Sequence, residues 1–233
     1  MRWLDERGAL AADGAFGVIE LVVFDLDGTL VDSHQDLAFA ANALVTELGG
    51  TGVSEAAVVK MVGEGAAVLV RRALTASGLD PDTPGALDRF LAIYDGCLLD
   101  RTRPYPGTIE MLEQLAPAVR LAVLTNKPAR ATGLMLDGLG LARFFDPVIG
   151  GDSIFGRKPN PAGLRHIIET AGASPETTIM VGDSPVDRLT ARNAGTAICL
   201  VRYGFGFLFG PGDLDGTEVI VDEPREVVEI ITC

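Results

Sequence analysis

The chain of 233 residues predicts an α/β fold, a parallel sheet core with an inserted helical block. Three observations carry this expectation. From Gly107 onward, short apolar runs alternate with amphipathic stretches, the pattern of a parallel sheet covered on both faces. The run Val18-Ile19-Glu20-Leu21-Val22-Val23-Phe24 is β-branched and nearly continuous, as in a strand buried on both sides. Between these regions only helical spacing is visible, and it ends at Arg103-Pro104-Tyr105-Pro106-Gly107, where the prolines break any helix.

Taken in order, residues 1–17 read as an N-terminal extension, in which Trp3 and Leu4 are candidates to dock on the body. Residues 18–34 and 104–233 read as the α/β core, and 35–103 as the helical domain inserted into it. In the insertion, Leu37, Ala40, Leu44, Val45 and Leu48 recur at three and four, and Gly49-Gly50 forms a stop. Further helices are expected over 55–61, 66–76 and 87–99. In the core, strands are expected over 119–124, 147–149, 178–181, 197–201 and 219–221. Helices are expected near 108–116, 129–139, 161–172, 185–195 and 226–230.

The formal charge of −13 argues against nucleic acid as a partner, because binding a phosphate backbone needs a basic face and no Lys/Arg cluster supplies one. An acidic surface also repels anionic membranes, and no segment approaches the roughly 20 apolar residues of a membrane span. Cys97, Cys199 and Cys233 are odd in number and widely spaced, which fits a reducing cytoplasm better than a disulfide framework. Charges throughout the first 17 residues exclude a secretory signal there. The expected protein is cytoplasmic, a monomer or homodimer, with a small-molecule partner.

Chemistry concentrates at three strand ends. Asp25 closes the first strand and Asp27 follows two residues on, before Gly28; Thr125 closes the next core strand, and Asp183 another. Ligands of open α/β sheets gather at this carboxyl edge. A carboxylate there is costly without a cationic partner, and a metal ion is the natural candidate. Asp-Gly alone is an ordinary turn; the longer string Phe24-Asp25-Leu26-Asp27-Gly28-Thr29-Leu30-Val31-Asp32-Ser33 is far more specific.

That string resembles the first motif of the haloacid dehalogenase-like phosphohydrolases. Leu124-Thr125-Asn126-Lys127-Pro128, Lys158-Pro159-Asn160-Pro161 and Val181-Gly182-Asp183-Ser184-Pro185-Val186-Asp187 are similar to the family's later motifs, in order. Met61-Val62-Gly63-Glu64-Gly65 with Arg71, then Tyr105-Pro106-Gly107, Gly150-Gly151-Asp152-Ser153 and Tyr203-Gly204, most resemble the phosphoglycolate phosphatase branch. The resemblance implies a Rossmann-like core with an α-helical cap domain, and a Mg2+-dependent phosphatase acting on a small-metabolite phosphate monoester. Phosphoglycolate, a sugar phosphate and a phosphorylated secondary metabolite are the implied substrate types. One departure is Val186, where many relatives carry Asn.

The resemblance makes Asp25 the nucleophile of an aspartyl-phosphate intermediate. A carboxylate approaching a phosphate dianion meets about 4 kcal/mol of repulsion per unit pair at 4 Å and an effective dielectric near 20, roughly 8 kcal/mol in all. A magnesium ion supplies opposite charge and needs only one or two protein carboxylates. Asp25 and Asp183 fit, with the Asp27 backbone carbonyl implied by the resemblance and Asp187 as an additional acidic partner. Asp27 is the candidate general acid and base, with ligation of the metal by its side chain as the alternative. Thr125 and Asn126 suit phosphate oxygens, and Lys158 suits both the phosphate and Asp25. Lys127 and Arg157 read as solvated or pairing charges.

The cap is expected to close over the edge and exclude water, with Gly63-Glu64-Gly65 facing the substrate. Arg71 is the candidate for a substrate carboxylate, unless Arg71 and Arg72 only mark a solvated face. His34 reads as a hinge or solvent-facing residue. The segment Phe205-Gly206-Phe207-Leu208-Phe209-Gly210-Pro211 reads as a core-covering loop, with a dimer contact or the substrate rim as alternatives. A dehalogenase needs no acid two residues after its nucleophile, so Asp27 argues against one. A phosphomutase of the same superfamily and a non-enzymatic phosphoacceptor switch are the competing functions.

Overall fold

The computed structural model describes residues 17–232. Trp3, Leu4 and the rest of the expected extension up to residue 16, together with Cys233, lie outside the described residues. In chain order the first elements are β1 (Leu21–Phe24), β2 (Val31–Asp32), α1 (His34–Glu47), α2 (Glu55–Val59), α3 (Ala66–Ala76), α4 (Ala86–Cys97) and β3 (Arg103–Pro104). The remainder are α5 (Thr108–Leu115), β4 (Arg120–Leu124), α6 (Ala129–Gly138), β5 (Val148–Ile149), α7 (Ala162–Ala171), β6 (Thr178–Gly182), α8 (Pro185–Ala194), β7 (Ala197–Val201), β8 (Val219–Val221) and α9 (Pro224–Thr232).

Six strands form one parallel sheet in the order β5-β4-β1-β6-β7-β8. All four residues of β1 are fully buried. Its alternate side chains serve two cores, Val22 and Phe24 on one face and Leu21 and Val23 on the other. The first face also gathers Leu112 of α5, Met135 of α6 and Val227 of α9; the second gathers Leu164 and Ile167 of α7 and Ala191 of α8. The expected α/β core is therefore present, layered helix, sheet, helix.

Helices α1–α4 fill the space between β2 and β3. Leu44, Leu74 and Phe90 are fully enclosed there, in the same apolar cluster as Phe24. The two connections to the core pair with each other, Val31 with Pro104 and Asp32 with Arg103, as an antiparallel two-stranded ribbon. This ribbon was not expected, since two-residue strands carry no readable periodicity. Beside it the buried Asp36 carboxylate accepts the backbone N–H groups of Arg101 and Thr102 at 3.0 and 2.8 Å, and the Thr102 hydroxyl at 2.7 Å. The base of the insertion is thereby fixed on both of its strands. Among the described residues no helix is long and apolar enough to cross a membrane.

Candidate active site

Because β1 and β6 run side by side, their carboxyl ends place Asp25 and Asp183 together, and α8 brings Asp187 up beside them. Ligand oxygens of these three buried aspartates lie within 4.8 Å of one another. Lys158 enters from the loop before α7, with Nζ 2.8 Å from Asp25 Oδ1 and 2.6 Å from Asp187 Oδ1. The first contact is an ion pair without hydrogen-bond angles, so Asp25 Oδ1 has no hydrogen-bond partner.

Burial dominates the electrostatics. It pushes the Asp25 carboxyl up to about 6 against the pull of Lys158, and raises Asp183 well above its ordinary range, with Asp187 and Asp25 adding repulsion. Burial pulls Lys158 down, yet Asp187 and Asp25 together bring it up to about 12, so it stays charged. Three carboxylates therefore face one ammonium, an excess of two negative charges when all are ionised.

Local structure explains each placement. Ser184 caps α8 in a reciprocal box: Asp187 Oδ2 accepts the Ser184 N–H at 3.0 Å and its hydroxyl at 2.5 Å, and Pro185 occupies the first turn. Both Asp187 oxygens are thus used, one by the cap and one by Lys158. Asp183 Oδ2 accepts the Gly206 N–H at 2.7 Å. Space for it depends on glycine: a Cβ on Gly28, at φ +86°, would fall 1.9 Å from Asp183 Oδ2, and one on Gly204 would fall 2.4 Å from Asp183 Cβ. The segment after Tyr203 is consequently more than a core cover. Phe207 and Phe209 pack on the core, while Phe205, Gly206 and Leu208 line the cavity above the aspartates.

Asp27 stands apart from the aspartate trio. Its carboxylate accepts Ser33 Oγ at 2.5 Å and Lys127 Nζ at 3.1 and 3.2 Å. Ser33 precedes α1 but makes no side-chain cap there. The side-chain metal ligand entertained at Asp27 does not match this geometry, because its carboxylate lies outside the group of three aspartates whose oxygens are close enough to share an ion. Lys127, read from sequence as solvated or pairing, is 6% exposed, and it also donates to Tyr94 OH on α4 at 2.6 Å. Burial first, then Asp27, raises Tyr94 far above its ordinary range, so its hydroxyl stays neutral.

Thr125 lines the cavity, its Oγ1 accepting the Lys127 N–H at 3.2 Å. Of the two Asn126 donors expected on phosphate, backbone amide or side chain, the side chain is used elsewhere: Nδ2 donates to the carbonyls of Gly63 and Lys158, and Oδ1 accepts the Lys158 N–H. Only its backbone N–H remains for an oxyanion.

The cavity above these groups has a volume of about 250 Å³ and is walled on the insertion side by Gly63, Glu64, Gly65, Arg72, Phe90 and Tyr94. Arg71 is not among its lining residues. Its guanidinium pairs with Asp82 on the exposed face of the insertion, whereas Arg72 faces the cavity, held by Glu64 and, at 3.2 Å, by the Met61 carbonyl. The arginine expected at the site is therefore displaced by one residue. His34 sits between Asp32 and Glu55, edge-on to Phe205, at the start of the insertion. Sequence reading gave no site role to Arg72, Tyr94 or Ser33, took Lys127 only as a solvated or pairing charge, and placed Gly206 in a covering loop with the substrate rim as an alternative.

A parallel α/β sheet brings a buried aspartate, a second acid two residues on and a threonine to one partly open cavity, with a charged lysine paired to the first aspartate, an arrangement suited to hydrolysis at a strand edge. The chain belongs to the haloacid dehalogenase-like hydrolases, whose family model matches residues 22–201. It is 44% identical over 192 residues to the phosphoglycolate phosphatase of Rhodospirillum rubrum, covering 79% of this chain and 80% of that relative. The phosphoglycolate phosphatase of Pseudomonas putida is 39% identical over 214 residues, covering 89% and 78%. The crystal structure of a predicted phosphoglycolate phosphatase from Haemophilus somnus 129pt superposes with a TM-score of 0.84 at 31% identity, covering 91% of this chain and 97% of that one. The protein is an enzyme of the phosphoric monoester hydrolase class, most similar to the phosphoglycolate phosphatase branch.

Proposed function

We propose that the chain is a magnesium-dependent phosphatase of a small phosphorylated carboxylic acid, 2-phosphoglycolate foremost, acting through phosphorylated Asp25. The observation that carries this reading is the buried Asp25 carboxylate, paired with Lys158, beside Asp183 and beneath a cavity walled by the helical insertion.

In the first step an Asp25 oxygen attacks phosphorus and the bond to the leaving oxygen breaks. Asp27 hands that oxygen its proton, since an alkoxide leaves poorly. Thr125 Oγ1 and the Asn126 backbone N–H orient the phosphate oxygens, and Lys158, held by Asp187, sets positive charge beside Asp25. In the second step Asp27, now ionised, takes a proton from water as the water oxygen attacks phosphorus, releasing phosphate and restoring Asp25.

The donor set suits a divalent cation, because the trio carries two more negative charges than Lys158 neutralises and leaves Asp25 Oδ1 without a hydrogen bond. Asp25 and Asp183 would hold magnesium, with the Asp27 backbone carbonyl beside them, and the ion would supply charge that offsets repulsion between carboxylate and phosphate. Asp187 is better used in holding Lys158. The insertion, residues 35–103, acts as a cap that keeps bulk water out, and Arg72 reads the substrate carboxylate.

Phosphate release should be measured from 2-phosphoglycolate and a set of sugar phosphates, with magnesium and with chelator, alongside a product assay for intramolecular transfer. Highest kcat/KM on 2-phosphoglycolate, lost on chelation, is expected. No release from any monoester, or phosphate recovered on another carbon of a sugar, would overturn the assignment.

A further inference from the structure

Asn126 and Lys127 are neighbours in the loop after β4, and each touches both the strand edge and the helical insertion. Asn126 Nδ2 donates to the Gly63 carbonyl, between α2 and α3, at 2.9 Å and to the Lys158 carbonyl at 3.0 Å, while Oδ1 accepts the Lys158 N–H at 2.8 Å. Lys127 Nζ reaches both Asp27 oxygens at 3.1 and 3.2 Å and Tyr94 OH at 2.6 Å, and lies 4.5 Å from the centre of the Tyr94 ring.

An ammonium has three N–H donors, and at Lys127 all three have partners. Two fall on a carboxylate of the core and one on a phenol of α4. Lys127 and Tyr94 are almost wholly enclosed, so water offers no substitute while the insertion is seated. This arrangement exists only with α4 against the strand edge. Withdrawal of α4 removes the Tyr94 oxygen and wets the ammonium, loosening the Lys127 side of the Asp27 carboxylate and leaving Ser33 Oγ as its remaining enclosed partner. Proton transfer tolerates little misplacement of the donor, so the aim of Asp27 depends on the seating of α4.

We infer that Lys127 and Tyr94 are positioning residues that tie the seating of α4 to the alignment of Asp27, and that Asn126 ties the Gly63 segment to Lys158 in the same way. Insertion contact and catalytic geometry are thereby linked through two adjacent side chains. The inference rests on Asp27 as proton donor to the leaving oxygen, as argued above.

The test uses Tyr94→Phe, which keeps the ring and removes one oxygen, and Lys127→Met, which keeps the stem and removes the donors. Each is assayed on 2-phosphoglycolate, whose alkoxide needs a proton, and on 4-nitrophenyl phosphate, whose leaving group does not. Each variant should lose about tenfold in kcat on the alkyl ester, part of the roughly 10²–10⁴-fold that a positioned acid supplies, with little change in KM and no matching loss on the aryl ester. The double variant should be no worse than Lys127→Met alone, as for groups acting as a unit. Equal loss on both esters, or losses that multiply independently, would overturn the inference.

Asp27→Asn separates the two claims. If it shows the alkyl-selective loss and Tyr94→Phe does not, the link fails while the acid role stands; if it shows none, both fail. Circular dichroism checks folding, and Tyr94→Phe decides the matter alone if Lys127→Met does not fold.

Discussion

At the strand edge the charged groups are buried with their partners, whereas on the outer face of the helical insertion the charges pair in water. Asp25, Lys158, Asp183 and Asp187 are all enclosed and held by one another, by a helix cap or, for Asp183, by the Gly206 N–H. Arg71 with Asp82, and Arg89 with Glu47 at 2.7 Å, lie on the outer face of the insertion. Buried charges are expensive to unpair, while exposed pairs contribute little. In the proposed mechanism the edge is therefore the intolerant part, carrying the bond-making chemistry, and the insertion is the part that selects what enters.

The sharpest way to break this contrast is Asp25→Asn, which should lower turnover by about 10⁴-fold or more, as loss of a nucleophile does, while the fold is kept. Phosphate release and a melting curve check both halves. Retained activity would remove Asp25 from the chemistry. Next in size, Lys158→Met should abolish most turnover and lower stability by roughly 3 kcal/mol at neutral pH, because it leaves Asp25 and Asp187 facing each other unpaired. Arg89→Ala serves as the surface control. If denaturant midpoints shift alike in the two variants, edge and insertion do not differ as described.

The pH dependence of the metal-free protein tests the same burial. Asp25 binds its proton more tightly when folded, at about 6, than at its ordinary 3.8, so between those values the native state holds more protons than the unfolded one. Its contribution to stability therefore falls as pH rises through that window, and Asp183 acts in the same direction. Melting temperatures of chelator-treated protein from pH 4 to 7 should decline more steeply for the native sequence than for Asp25→Asn. Superimposable curves would mean that burial of Asp25 is already compensated. Smallest of all, Arg72→Ala should raise KM for a carboxylated phosphate about tenfold, as loss of a paired guanidinium does, and Arg71→Ala should leave it unchanged. The reverse order would restore Arg71 to the site.

The sheet and its motif residues were legible because apolar strands ending in Asp25, Thr125 and Asp183 declare both burial and position. What the sequence hid has physical causes. The buried positions of α3 are Leu69, Val70, Ala73 and Leu74. At about 100° per residue, Arg71 and Arg72 flank that stripe at nearly equal angles on opposite sides, so periodicity cannot choose between them. Only the position of the cavity does. Lys127 looked like a loop cation because its partners, Asp27 and Tyr94, come from distant segments. The Asn126 side chain stood beside its backbone N–H as a phosphate donor, since nothing local announces that the carbonyls of Gly63 and Lys158 claim the side-chain amide. Gly206 gave a signal of sorts, as a glycine among aromatics, but its purpose, an N–H and empty space for Asp183, depends on β6 and β7 being neighbours.

The central claim is that Asp25 itself becomes phosphorylated. Enzyme mixed with 2-phosphoglycolate, quenched during turnover and reduced with borohydride, should yield homoserine at position 25 by peptide mass spectrometry, and aspartate there when substrate is omitted. Homoserine at another acid such as Asp27, or unmodified Asp25 in enzyme caught while releasing phosphate, would contradict the account.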